Sequence, residues 1–296
     1  MLHAARVYRQ LIDRDFKVLK FLEDQAPRYY YVPMEIIVKS LGMTESKCEY
    51  TLRKLHKLKL IRARRKPYLG FYINMHGYDA LAINALVNRG VIEAIGDKIG
   101  VGKESDVYTA LTSSGERVAI KFFRIGRLSF KHIQVRRAYY LEAEPRKQLT
   151  WIKRSMISAR REYRALKRLH PEVSVPRPVA HNRHVVVMGE IYGIPLSDVK
   201  DLDDPSYVLE LIINNLKKAY EKNIIHADFS HYNVMVTEEG VLLIDWPQYV
   251  HRKHPLANEY LRRDVENIVR FFSRKFRINV SSEEVIAYIL GSAPQE

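Results

Sequence analysis

The chain has 296 residues, 47% hydrophobic and 28% charged, a balance that fits folded domains and excludes disorder as the default. No apolar run is long enough to span a bilayer, Met1-Leu2-His3-Ala4 does not open a secretory leader, and a lone cysteine, Cys48, cannot make an internal disulfide, so a cytoplasmic protein is expected. The net charge of +15 is concentrated: residues 1–82 hold 16 Lys and Arg against 8 Asp and Glu, residues 117–170 hold 16 against 3, and the rest 17 against 23. Two basic segments on a mildly acidic remainder favour a polyanionic partner.

Asp13 is placed to cap a helix running through Gln25, with Phe16, Leu19, Phe21 and Leu22 on its apolar side. Pro33 marks a second helix start, followed by Met34, Ile36, Ile37 and Leu41 before Gly42 stops it. Thr44 opens a third helix carrying Tyr50, Leu52, Leu55 and Leu58. Leu60–Arg64 and Leu69–Ile73 read as strands joined by the basic turn Arg65-Lys66-Pro67-Tyr68. Three helices and a hairpin within residues 1–82 make a winged helix. Its third helix would bring Arg53, Lys54 and Lys57 to nucleic-acid phosphates while the basic hairpin tracks the backbone. The same shape also serves as a protein-docking module with solvated charges.

Tyr78–Asn88 reads as a connecting helix, with residues 83–91 as the linker. From residue 92 the pattern turns to short β-type runs, Ile92–Ile99, Asp106–Leu111 and Arg117–Phe123, punctuated by Gly100, Gly102 and Ser113-Ser114-Gly115. Residues 124–155 are basic without an apolar period and read as a long mobile insertion. A helix from about Met156 to Leu169 and a strand at His184–Met188 complete a region 92–190. Residues 191–296 are mainly helical, with a strand-turn-strand at Val234–Ile244 and a helical stretch at Leu256–Phe272. The expected class is α+β.

Three separated motifs carry the chemistry. Gly100-Val101-Gly102-Lys103-Glu104-Ser105 lies between two strand-like runs, where glycines let a backbone approach phosphate oxygens and Ser105 adds a hydroxyl. Val118-Ala119-Ile120-Lys121 puts a lysine on the following strand, where it would neutralise the α- and β-phosphates of ATP, with Glu162 as its helical ion-pair partner. His226-Ala227-Asp228 is followed by Asn233 and, beyond two apolar runs, by Ile244-Asp245-Trp246. Phosphoryl transfer asks for charge neutralisation and positioning, and Asn233 and Asp245 offer oxygen ligands suited to Mg²⁺, with Mn²⁺ as a substitute. Asp228 would accept or orient the proton of the attacking hydroxyl. His226 reads as a structural hydrogen-bonding residue, and His231 receives no role.

The stretches G-x-G-K-E-S-x-V-Y, V-A-I-K, H-x-D-x-S-x-x-N and I-D-W-P-Q resemble the RIO atypical serine/threonine kinases, in the branch with an N-terminal winged helix, over nearly the whole chain. The resemblance implies a two-lobed, protein-kinase-like fold after the winged helix, without the usual activation loop and peptide-binding helices. It also implies adenine docking through the main chain of Met188, Gly189 and Ile191, a phosphorylated aspartate at Asp245, autophosphorylation at Ser129, and ATP hydrolysis during maturation of the small ribosomal subunit with its precursor rRNA as partner. Trp246 stands where the family commonly has Phe, and Gly189 where it often has Glu, which removes a side-chain contribution there. Two rivals remain at this point. An aminoglycoside-phosphotransferase-type enzyme shares H-x-D and I-D-W, but only 51 residues follow Asp245 to build its substrate pocket. A nucleotide-sensing RNA-binding switch would keep the ATP site without phosphorylating protein.

Overall fold

A computed structural model of the chain describes residues 1–102, 104–125 and 150–291. The chain divides into two compact units, Met1–Phe122 and Phe123–Glu296. Lys103, Ser129 and most of the expected insertion lie outside the described residues.

In the first unit, α1 (His3–Tyr8) precedes α2 (Asp13–Gln25), α3 (Met34–Leu41) and α4 (Glu45–Lys57), and then the hairpin β2 (Ile61–Arg64) and β3 (Gly70–Ile73). A short β1 (Val32–Pro33) pairs with β3, placing Val32 opposite Phe71, so the wing is a three-stranded sheet in the order β1-β3-β2. Neither α1 nor β1 stood out in the sequence, because each is too short to show a period. Pro33 proves to be the N-cap of α3 rather than its first residue, and Gly42 closes that helix at φ 59°. Thr44 caps α4 by accepting from the Lys47 amide at 3.4 Å. Asp15 reaches back to the Ile12 amide at 3.0 Å and fixes the start of α2. The apolar face of these helices buries Val18, Leu19, Leu22, Ile37, Leu52 and Leu55 around Cys48, itself fully buried. Burial pushes the Cys48 thiol above its ordinary pKa, with Glu45 adding to the effect.

The helix α5 (Met75–Asn88) starts earlier than Tyr78, because Asn74 caps it through the Gly77 amide at 3.2 Å while donating to the Lys59 carbonyl at 2.9 Å. Gly77 has a packing reason: a Cβ there would stand 2.4 Å from the Leu60 carbonyl oxygen. The strands β4 (Ala94–Val101), β5 (Ser105–Leu111) and β6 (Arg117–Phe123) follow within one sheet.

The second unit contains α6 (Trp151–Leu169), the hairpin β7 (Pro178–Asn182) and β8 (Val185–Gly189), β9 (Ile194–Pro195), α7 (Pro205–Glu221) and β10 (Ile224–Ile225). A 3-10 turn at His231–Asn233 leads into β11 (Val234–Thr237) and β12 (Gly240–Leu243), and then β13 (Val250–His251), α8 (Ala257–Phe276) and α9 (Ser282–Leu290). The helix α6 begins at Trp151, not near Met156, with Thr150 as its cap and Ile152 and Ser155 buried. The buried Ile125 donates its amide to the Ser155 hydroxyl at 3.1 Å, so both described flanks of the expected insertion are packed. The basic composition there had masked the apolar period. The strands β11 and β12 pair with Val234 opposite Leu243, and β9 adds on the other side of β11. This register carries the chain from Asn233 back to Ile244, whose amide donates to the Asn233 carbonyl at 2.8 Å.

Candidate active site

In the first unit, Val101 pairs with Asp106 across the β4–β5 turn, and the Gly102 amide donates to the Ser105 carbonyl at 2.8 Å. Neither Gly100 nor Gly102 has a left-handed φ, and a Cβ on Gly100 would meet only ordinary contacts with Val107. The fold therefore does not itself require glycine at position 100, which leaves room for something approaching the loop as the reason for it. Glu104 and Ser105 sit at the turn, half-buried. Lys121 lies on β6 in an unbroken buried run from Val118 to Phe123. An ammonium in such a run is costly unless a negative group answers it.

In the second unit, Glu162 occupies the buried face of α6. Met188 and Gly189 end β8, and the Gly189 amide is committed to the Arg177 carbonyl at 2.8 Å. The Ile191 amide makes no hydrogen bond among the described residues, leaving a donor at the strand's exit.

The segments bearing Asp228, Asn233 and Asp245 are held by a set of bonds that the motif reading did not foresee. Asp264, 1% exposed on α8, accepts from the Ala227 amide at 2.7 Å through one oxygen and from the Phe229 amide at 2.8 Å through the other. These amides flank Asp228. Arg263 donates to the Ala227 carbonyl, and Asn267 to the Phe229 carbonyl at 3.0 Å, so α8 grips the loop three times. Burial pushes the Asp264 carboxyl above its ordinary pKa, while His226, the Phe229 and Ala227 amides and Arg263 oppose the rise. The signal for Asp264 was present in the sequence. It is a lone acid in the apolar stripe Leu261, Val265, Ile268, Val269 and Phe272.

His226 bonds the Ile244 carbonyl at 3.1 Å and packs against Trp246 and Phe229 at ring separations of 4.6 and 5.3 Å. A carbonyl only accepts, so Nε2 carries the proton. His226 thus ties the Asp228 loop to the residue before Asp245, a structural role as expected. Asp228 also accepts from the Gln248 amide at 2.6 Å. The Asn233 side-chain oxygen accepts from the Ser230 amide at 3.0 Å and its hydroxyl at 3.2 Å. Ala227 and Asp245 both adopt positive φ, 66° and 67°, a strained choice for residues with a Cβ that a bonded surround must hold. Asp228 and Asp245 are exposed, while Trp246, the residue after Asp245, is fully buried.

The three cations of α4 differ among themselves. Lys54 turns inward onto Asp15, Arg53 pairs with Glu49 on the same helix at 2.5 Å, and Lys57 is exposed.

The family profile described as RIO domain matches residues 106–285, and the one described as Rio2, N-terminal matches residues 8–89. The chain is 39% identical over 261 residues to the RIO-type serine/threonine-protein kinase Rio2 of Methanocaldococcus jannaschii, covering 86% of this chain and 94% of that one. This chain belongs to the Rio2 family of RIO-type serine/threonine-protein kinases. The rio2 kinase of Schizosaccharomyces pombe is 33% identical over 275 residues, covering 92% of this chain and 79% of its own. The Rio2 kinase of Chaetomium thermophilum, crystallised as an ADP/Mg²⁺-phosphoaspartate complex, superposes with a TM-score of 0.80 at 28% identity, over 95% of this chain and 88% of that one. The fold is accordingly the RIO kinase fold preceded by a winged-helix domain, and the Rio2 chain is a serine/threonine kinase rather than an aminoglycoside-type enzyme. Among the described residues no helix is long and apolar enough to cross a membrane.

Proposed function

We propose that the chain binds Mg²⁺-ATP, transfers or hydrolyses its γ-phosphate, and does so in the cytoplasm during maturation of the small ribosomal subunit, with precursor rRNA as a partner. The observation that carries the catalytic part is the grip of Asp264 on the amides either side of Asp228, because positioning is most of what phosphoryl transfer requires of a protein. The donor set fits magnesium: one carboxylate with one carboxamide can hold Mg²⁺ when substrate phosphates complete its shell. Asn233 and Asp245 would hold the ion. When bound, it supplies neutralisation of the phosphate charge.

Lys121 binds the α- and β-phosphates, and Gly100, Gly102, Lys103, Glu104 and Ser105 cover them. Met188, Gly189 and Ile191 present the main chain to adenine, with the Ile191 amide as donor. Asp228 takes the proton of an attacking hydroxyl, and the Gln248 amide holds that carboxylate in orientation. Following the phosphoaspartate of the Chaetomium thermophilum relative, Asp245 is the acceptor when ATP is hydrolysed: its carboxylate oxygen bonds to the γ-phosphorus as the bond to ADP breaks. Water then releases phosphate.

The test is phosphate release from ATP by Asp245→Ala. Turnover should vanish. Activity within about tenfold of wild type, the equivalent of roughly 1.4 kcal/mol of barrier, would refute the assignment. A parallel protein-phosphorylation assay separates a working protein kinase from an ATP-timed RNA-binding switch.

A further inference from the structure

The second basic segment of the sequence is not absorbed by this mechanism. On α6, Glu162 and the apolar positions Ile152, Ala159, Leu166 and Leu169 are buried, while Arg160, Tyr163, Arg164, Lys167 and Arg168 share the other face. These five, with His181 of β7, line a cleft of about 510 Å³. Tyr163 and His181 stack at 5.1 Å and 19° to form its floor, and the Lys167 ammonium lies 6.0 Å from the Tyr163 ring centre. From Arg160 to Arg168 the ridge runs about 12 Å along the helix.

The charge on this ridge is not neutralised locally. Between Trp151 and Asn182 the sequence holds two acids, Glu162 and Glu172. Glu162 is buried on the opposite face, and Glu172 pairs with Lys222 at 2.5 Å. Arg168 donates to the Lys222 carbonyl at 2.7 Å, and Arg161 turns away to the Pro247 carbonyl. Among the described residues, Arg160 and Arg164 make no ion pair, in contrast to Lys54 and Arg53 of α4.

We propose that this face of α6 is a binding surface for single-stranded RNA, in which Arg160, Arg164 and Lys167 neutralise successive phosphates and the Tyr163–His181 floor takes an unpaired base. Arginines beside an aromatic floor suit a strand that offers both phosphates and flat rings, which an acidic polypeptide does not. The inference rests on the reading that the chain meets RNA, and it moves the main contact from the winged helix to the second unit.

The full chain is titrated with a fluorescent single-stranded RNA of roughly a dozen nucleotides at several salt concentrations. Wild type is compared with a chain carrying Arg160→Gln, Arg164→Gln and Lys167→Gln, and with a second carrying Arg53→Ala and Lys57→Ala. Three phosphate contacts at about −0.7 each should flatten the log-log salt slope of the α6 variant by about 2, so a fourfold salt rise should cost wild type about 16 times more affinity than the variant. ATP turnover, which uses none of these three residues, reports folding. Should the triple variant fail to fold, Arg164→Glu alone must weaken RNA binding at low salt. An unchanged slope overturns the proposal, and a loss confined to the α4 variant returns the contact to the winged helix. No binding by wild type sinks both. Polyglutamate competing as well as RNA of equal charge would make the surface a protein-docking one and overturn the nucleic-acid assignment.

Discussion

Asp15 in the first unit and Asp264 in the second are both shut away from water, at 0% and 1% exposure, yet different groups answer them. Asp15 uses one oxygen for both its bonds, to the Ile12 amide and to Lys54 on α4, and its other oxygen makes no hydrogen bond. Asp264 spends one oxygen on each amide flanking Asp228. A lysine partner can be met by many backbone paths, since its stem is long and flexible. An amide partner fixes the path of the chain itself. The first arrangement holds two helices together, and the second sets where a loop goes. Only the second should therefore be felt in the rate.

The sharpest way to break this contrast is Asp264→Ala. It leaves two buried amides without acceptors, a loss of roughly 2–6 kcal/mol of stability at about 1–3 each. Displacement of the Asp228 loop should also lower kcat about a hundredfold per folded molecule. Wild-type kcat in the folded fraction would reduce Asp264 to an architectural residue like Asp15. The milder Asp264→Asn tests the charge. Because burial raises the folded pKa, the stability Asp264 contributes is fully present below the ordinary value of 3.8 and is lost as pH rises through the higher folded value. The wild-type melting temperature should therefore fall relative to Asp264→Asn as pH climbs from 3.8, and a pH-independent difference would contradict the raised pKa.

Lys54→Met comes next. It strands the Asp15 charge and should cost about 3 kcal/mol, the low end for one partner of a buried pair, because Lys54 keeps 24% of its side chain in water. ATP turnover per folded molecule should hold, and a drop in it would mean that the winged helix is coupled to catalysis. The smallest effect belongs to Arg53→Ala. Its exposed pair with Glu49 is worth about 0.3–0.5 kcal/mol, so melting should barely move. If Arg53 touches RNA, the salt slope changes by about 0.7, and an unchanged slope would make it a bystander.

Local signals read well from the sequence. Arg117–Phe123 begins and ends where its β-branched run placed it, the helix expected through Gln25 is there although Ile12 and not Asp13 is its N-cap, and the β11–β12 turn returns the chain to Asp245 as the motif spacing required. What stayed hidden depends on residues far apart in the chain. Lys54 and Asp15 are 39 positions apart, and Asp264 and Ala227 37, and no periodicity marks such a pair. The strand β7 was hidden too, since Pro178, His181 and Asn182 carry no strand signal of their own and are drawn into the sheet by pairing with Met188, Val186 and Val185. On α6 the run of arginines concealed the buried Ile152, Ser155 and Ala159 beneath it.

The burial of Cys48 has a practical side. The sole thiol of the chain is sealed inside the winged helix and held in its protonated, unreactive form, so maleimide reagents should pass over the native protein. A fluorophore can then be placed at one chosen surface position, such as Lys167→Cys beside the α6 cleft, without first removing a native cysteine. The wild-type chain serves as its own unlabelled control.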